Sequence, residues 1–179
     1  MGTPEPGPEA ALAEFAALRQ EILARQAHQH TLLALQVTIG GAVFSFALSA
    51  PGRAAALLVV PFTSFMLLGR YVAHYAAIAH LSTYIKSELS PRVAGGLGWE
   101  AWFDARRRPS RRIFLVDPLF IAYPGMALLA LAATAVALAP HRPGAVAVVA
   151  WCGGLALTGY ATWLAWRIRS HVFPTQWSA

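Results

Sequence analysis

The sequence is short of charge. Only 12% of its 179 residues are Asp, Glu, Lys or Arg, against about a quarter in a soluble domain, while 57% are hydrophobic. The length allows one domain, and a soluble domain of that size cannot hide so much apolar surface in a single core. Lipid must cover the rest. Cysteine is nearly absent too: Cys152 stands alone, which excludes an internal disulfide, and its apolar surroundings make it a small core residue. Lysine occurs once, at Lys86, while Ala, Gly, Pro and Arg are abundant, the composition of a GC-rich bacterial genome. The chain also has no Gly-rich phosphate loop after a strand, no nucleophile elbow, no HExxH and no paired carboxylates inside an apolar run. These gaps name no catalytic residue, no cofactor and no metal, and they lean away from an enzyme. Residues 1–9 lack the basic start of a signal peptide and carry no lipidation motif; their Pro-rich, acidic character predicts a disordered tail.

What is present is four apolar runs, 31–49, 54–73, 118–139 and 144–166, each near the ~20 residues that cross a bilayer core of ~30 Å. Ala50-Pro51-Gly52-Arg53 separates the first two and Pro140-His141-Arg142-Pro143 the last two, and such breakers make tight connections. The expected fold is all-α: an integral membrane four-helix bundle of two antiparallel hairpins, forming a single membrane domain over 10–179. Asp117 and Pro118 provide an N-cap and a first-turn proline for the third span, and Pro124 is placed to bend it.

The formal charge is +6, but the basic residues flank the apolar runs instead of forming a stripe with interleaved aromatics, so no nucleic-acid partner is expected. All of them except Arg53 and Arg142 fall on one side of the four runs. The positive-inside rule then places both termini and the central loop in the cytoplasm of a bacterial plasma-membrane protein. Trp163 and Trp166, followed by Arg167 and Arg169, form an inner interfacial belt.

Two segments carry helices beyond the bilayer. In 10–30, Leu12, Phe15, Leu18 and Ile22 share a face, and Glu21 precedes Arg25 by four residues in the favourable order. In 74–90, a seam from Tyr71 and Tyr75 through Ile78, Ser82 and Ile85 to Leu89 repeats with heptad spacing. Together these segments predict a cytoplasmic helical stalk in which Tyr75, Ile78, Ile85 and Leu89 meet Phe15, Leu18 and Ile22. The loop 91–117 follows. Its Trp99, Trp102 and Phe103 share one helical face, and Arg106, Arg107, Arg108, Arg111 and Arg112 come directly after. This pattern predicts a short interfacial helix whose partners are anionic lipid headgroups.

Tyr84-Ile85-Lys86-Ser87-Glu88-Leu89, followed by Gly98-Trp99-Glu100-x-Trp102, resembles a juxtamembrane pattern in uncharacterised small integral membrane proteins of GC-rich bacteria. The resemblance covers about a quarter of the chain and implies no activity. In organisation, the stalk-plus-hairpin half is similar to the SLATT family of bacterial conflict systems, which implies a membrane effector with two spans. The second hairpin here departs from that plan.

Ionisable groups inside a membrane mark function, because burying them in hydrocarbon is costly. Here the candidates are Arg70, His74 and Asp117, all at the cytoplasmic boundary. Histidines 28 and 30 point apart on a helix, so His30 with His74 is the pair to test for a metal. The small residues Gly41, Ser45 and Ser49, and likewise Ala150, Gly154, Thr158 and Thr162, suit close helix packing within the chain. The function expected is that of a membrane-anchored interaction or assembly module, acting on a second copy or another protein. An oligomeric pore or transporter subunit is the alternative, and it requires Gln36, Thr38 and Ser45 to face one axis.

Overall fold

The structure is a computed structural model that describes residues 7–50, 52–93, 96–98, 102, 105–106, 119, 121–139 and 144–172, with side chains to 167. All secondary structure among them is helical, with no strand. Helix α1 runs Pro8–Leu48. Proline suits its first position because it brings the right φ and no amide to orphan, while the Ala10 and Ala11 amides donate to the Gly7 carbonyl at 3.0 and 3.2 Å. The following turn needs glycine: Gly52 has φ 87°, a left-handed conformation that a Cβ would strain. A 3₁₀ turn, Ala54–Leu58, leads into α2, Val59–Tyr84. A π turn, Ile85–Leu89, and a 3₁₀ turn, Ser90–Arg92, complete that helix before Val93 goes extended. The third run begins with a π turn, Ile121–Gly125, and continues as α3, Met126–Leu138. Pro124 lies inside the π turn; it has no amide to give to a regular helical ladder, and a widened turn absorbs that defect. Helix α4 is Ala145–Val172.

Four helices are long and apolar enough to cross a membrane: Pro8–Leu48, Ala54–Arg92, Ile121–Leu138 and Ala145–Arg167. The chain divides into two compact units, one of Met1–Gln29 with Ala73–Ser110 and the other of His30–Val72 with Arg111–Ala179.

The core of the first unit joins the start of α1 to the end of α2. Ala11, Ile22, Ile85 and Leu89 are buried, with Phe15, Leu18, Ile78, Leu81, Val93 and Leu97 against them. Ile78, Ile85 and Leu89 thus meet Phe15, Leu18 and Ile22, as the heptad spacing predicts. Two expectations fail: Tyr75 is not among the residues packed on this core, and Leu12 is 48% exposed, with Ala11 in the inward position instead. The inward residues 11, 15, 18 and 22 step by four, three and four, and position 12 stands about 100° off that line. A hydrogen bond of 2.7 Å from the Tyr84 hydroxyl to Glu14 Oε1 closes the side of this core. The exposed Glu21 and Arg25 pair along α1, Nε to Oε1 at 3.0 Å. At the far end the Leu97 amide donates to Ser90 Oγ at 2.9 Å.

The second unit packs four helices through two apolar clusters. Leu68 of α2, Ala122 and Tyr123 of the π turn, and Ala161 and Ala165 of α4 form one, with Leu33 of α1 against it. Ala47 of α1, Leu57 and Val60 beside and within α2, and Ala130 of α3 form the other. The surface of this unit is apolar as well as its interior, unlike that of a water-soluble domain. Gln36, Ser64, Thr134 and Thr158 are buried, while Leu48, Met66, Val136, Val146 and Val149 lie on the surface. The buried threonines spend their hydroxyls on their own helices, Thr134 on the Ala130 carbonyl and Thr158 on that of Gly154.

Candidate functional site

The most unusual chemistry in the second unit is the side chain of Gln36, only 1% exposed among apolar neighbours. Its Nε2 donates to Ser64 Oγ of α2 at 2.7 Å and approaches Met126 Sδ of α3 at 3.5 Å. Three helices therefore meet on one amide. The other end of that amide, Oε1, is buried with no hydrogen-bond partner among the described residues. Gly40, one turn along α1, makes room for the same methionine, since a Cβ there would stand 2.0 Å from Met126 Sδ. On α4 a Cβ at Gly154 would lie 3.1 Å from Leu131 Cδ2 and 3.2 Å from Pro61 Cγ. The Trp151 indole N–H reaches the Leu131 carbonyl at 3.0 Å.

These contacts sort the small-residue stripes. Gly154 and Thr158 are buried, so the α4 stripe packs within the chain as expected. The α1 stripe does not: Gly41, Ser45 and Ser49 are exposed, and a Cβ at Gly41 would meet nothing within 4 Å. The inward line on α1 is 36, 40, 43 and 47, one or two residues out of step with 41, 45 and 49. Thr38 is exposed as well. Gln36 therefore faces the interior while Thr38 and Ser45 face outward, and the three do not share an axis.

Of the boundary cluster, Arg70 is exposed on α2 and His74 is half-buried farther along the same helix; Asp117 lies outside the described residues. The ring stacked on His74 is that of His28, with centroids 5.4 Å apart and planes 24° apart. His28 Nδ1 stands 2.7 Å from the Ala24 carbonyl oxygen, which can only accept, so Nδ1 carries the proton. Sequence reading offered His30, not His28, as the partner of His74; helical spacing gave no signal for this stack, which depends on how α1 and α2 are rotated. Among the described residues no group of three or more His, Cys, Asp or Glu could hold a metal ion.

Of the expected interfacial residues, Trp102 is helical and exposed, and the Arg106 guanidinium lies 4.6 Å above its ring. Trp99, Phe103, Arg107, Arg108, Arg111 and Arg112 lie outside the described residues. On the second unit Trp163 and Arg167, both expected in the interfacial belt, extend an aromatic line that sequence reading missed: Phe65 and Tyr160 at 6.0 Å, Tyr160 and Trp163 at 5.5 Å, then the Arg167 guanidinium 5.1 Å from the Trp163 ring centroid. At the other end of the apolar helices Arg53 lies 4.8 Å over Phe46 and donates to Ser49 Oγ at 2.8 Å.

No family model, no curated protein and no solved structure matches the chain. Its function is therefore argued from its own residues.

Proposed function

We propose that this chain is a four-span integral membrane protein of the bacterial plasma membrane that acts as a non-enzymatic, membrane-anchored interaction or assembly module. The observation that carries the membrane part is the apolar outer surface of the second unit. Exposing Met66, Val136 and Val149 costs free energy in water, at roughly 25 cal/mol per Å² of apolar surface, and costs nothing in hydrocarbon. The pairing of Gln36 with Ser64, of Leu33 with Leu68, and of Leu131 with Gly154 supports two antiparallel hairpins assembled as a bundle. Residues 10–30 and 74–90 form the cytoplasmic stalk in this reading, and 91–117 the interfacial loop.

The first unit supports the docking role. Its outer surface mixes Arg19, Gln20, His80, Lys86, Ser87 and Glu88, which suit water and a protein partner and have no use in lipid. The resemblance to small membrane proteins of GC-rich bacteria agrees with this architecture and adds no activity. A pore or transporter subunit is the weaker reading, because Gln36 faces away from Thr38 and Ser45.

Thiol labelling tests the topology. With Cys152 replaced, cysteine at Arg53 should react with a membrane-impermeant reagent applied to intact cells, and cysteine at Pro109 should react only after lysis. Labelling at Pro109 from outside overturns the orientation, and release of the chain by carbonate washing overturns membrane insertion. Crosslinking from residues 80 and 87 should capture a protein partner or a second copy. Capture of neither, with the chain still in the membrane, removes the docking role alone.

A further inference from the structure

The first unit buries one face of each of its two helices and leaves bulk on the outside of α1. Its exposed large apolar side chains, among the described residues, are Leu12, Leu23 and Trp102. The Arg106 guanidinium covers one face of Trp102 at 4.6 Å. Leu23 is 64% exposed. Leu12 and Leu23 stand three helical turns apart and share a line with the exposed Glu9 and Ala16. Arg19 falls on the same line, but its guanidinium lies 5.8 Å over the Phe15 ring, which draws it aside. The outer side of α2 is made of small residues instead. Ala76, Thr83 and Ser87 are exposed and Ala79 is half-buried. Thr83 and Ser87 give their hydroxyl protons to the Ala79 and Thr83 carbonyls at 2.9 and 3.0 Å, so both lie flat on the helix.

The two helices run in opposite directions. Glu14 is level with Tyr84 through their hydrogen bond, and His28 with His74 through their stack. Leu23 comes five residues before His28 and Ala79 five after His74, so those two are level. Counted the same way from Glu14 and Tyr84, Leu12 is level with the stretch between Thr83 and Ser87. Near the tip Glu9 and Arg92 are both exposed, and neither has an ion-pair partner among the described residues.

We propose that a second copy of this chain docks here, with Leu12 and Leu23 of each α1 set among the small residues of the other copy's α2 and Glu9 paired with Arg92 across the interface. The inference rests on the docking role proposed above and goes beyond it by naming the partner. A face with bulk and negative charge lies on α1, and a face with space and positive charge lies on α2 at the same levels. One chain therefore carries both halves of a self-complementary surface, and a two-fold axis along the stalk makes every contact twice. Two copies in one membrane stand in the same orientation, which such an axis requires. Each α1 then packs on its own α2 on one side and on the other copy's α2 on the next, as in a four-helix bundle. Burial of the leucines supplies the affinity. The exposed ion pairs are worth little each, and they fix which helix meets which.

The test is disulfide crosslinking in membranes from cells that express two differently tagged full-length copies, with Cys152 replaced in both. Leu23→Cys in one copy and Ala79→Cys in the other should form a disulfide that joins the two tags. Ala76→Cys, at a more exposed position, should do the same and stands in if Ala79→Cys alters the circular dichroism. Leu23→Cys in both copies should not crosslink, because the two α1 helices lie across the diagonal of the bundle. Charge reversal reads the tip. Glu9→Arg or Arg92→Glu, each in both copies, should lower the yield from Leu23→Cys and Ala79→Cys about threefold, the effect of two exposed ion pairs. The two reversals together should restore it. Absence of any disulfide from position 23 to 76 or 79, or one from 23 to 23 in its place, overturns the proposal. So does a double reversal that loses as much as the two single ones combined. Crosslinks from residues 80 and 87 to a different protein, without the disulfide between tags, give this face to that protein and leave the docking role standing. Chain released by carbonate washing overturns the membrane reading itself.

Discussion

Gly40 and Met126 occupy one another's space: a Cβ on the glycine would stand 2.0 Å from the methionine sulfur, which also lies 3.5 Å from Gln36 Nε2. Adding a side chain at Gly40 must therefore move Met126 and disturb the one amide shared by three helices. Gly40→Val should destabilise the protein by about 1–3 kcal/mol, the usual cost of overpacking. Gly41→Ala, whose Cβ meets nothing, should be neutral or mildly stabilising, since alanine is the better helix former. Thermal unfolding in detergent checks both. Restoring space with Met126→Ala in the Gly40→Val background should recover part of the loss, and strictly additive effects would separate the two residues.

The buried seam of the first unit gives a second expectation. Ile85 is 1% exposed beside Leu89 and Ile22. Ile85→Asp removes that contact and buries a charge, so it should cost about 2–4 kcal/mol. Leu12→Asp should cost little, because Leu12 points outward. Equal melting temperatures for the two variants would show that the seam contributes nothing.

The Tyr84–Glu14 bond makes stability depend on alkaline pH. Its hydrogen bond to Glu14, with help from desolvation and the carboxylate's charge, raises the Tyr84 pKa above the ordinary 10.0. A group whose folded value lies above its unfolded value stabilises fully below the unfolded pKa and loses that contribution as pH rises through the folded one. The unmodified chain should thus out-melt Tyr84→Phe at pH 8, with the gap shrinking steadily above pH 10. A gap that stays constant to pH 11 would assign the bond no role.

Tyr123 predicts a change of the opposite sign. Its hydroxyl is buried without a hydrogen-bond partner among the described residues, while its ring packs 6.0 Å from that of Tyr71. Deleting an unsatisfied polar atom and keeping the ring should help: Tyr123→Phe should raise stability by roughly 1 kcal/mol. A lower melting temperature would reveal a partner for the hydroxyl.

Residue spacing alone made much of this legible. Four apolar runs, the breaker at Gly52, and the step from Phe15 to Leu18 to Ile22 are one-dimensional signals, because helix formation and amphipathic burial depend on neighbours within a turn or two. The seam of Ile78, Ile85 and Leu89 was readable for the same reason.

What the tertiary structure decided is rotation. When nearly all residues of a helix are apolar or small, no periodic pattern selects its inward face, so sequence could not choose between the stripe at 41, 45, 49 and the line at 36, 40, 43, 47. Packing chose, by fitting Gly40 against Met126 and setting the Gln36 amide on Ser64. The same rotation stacked His28 on His74 and joined Phe65 of α2 to Tyr160 of α4. Residues 95 apart in the chain meet there because two helices pack side by side, and no local pattern encodes that meeting.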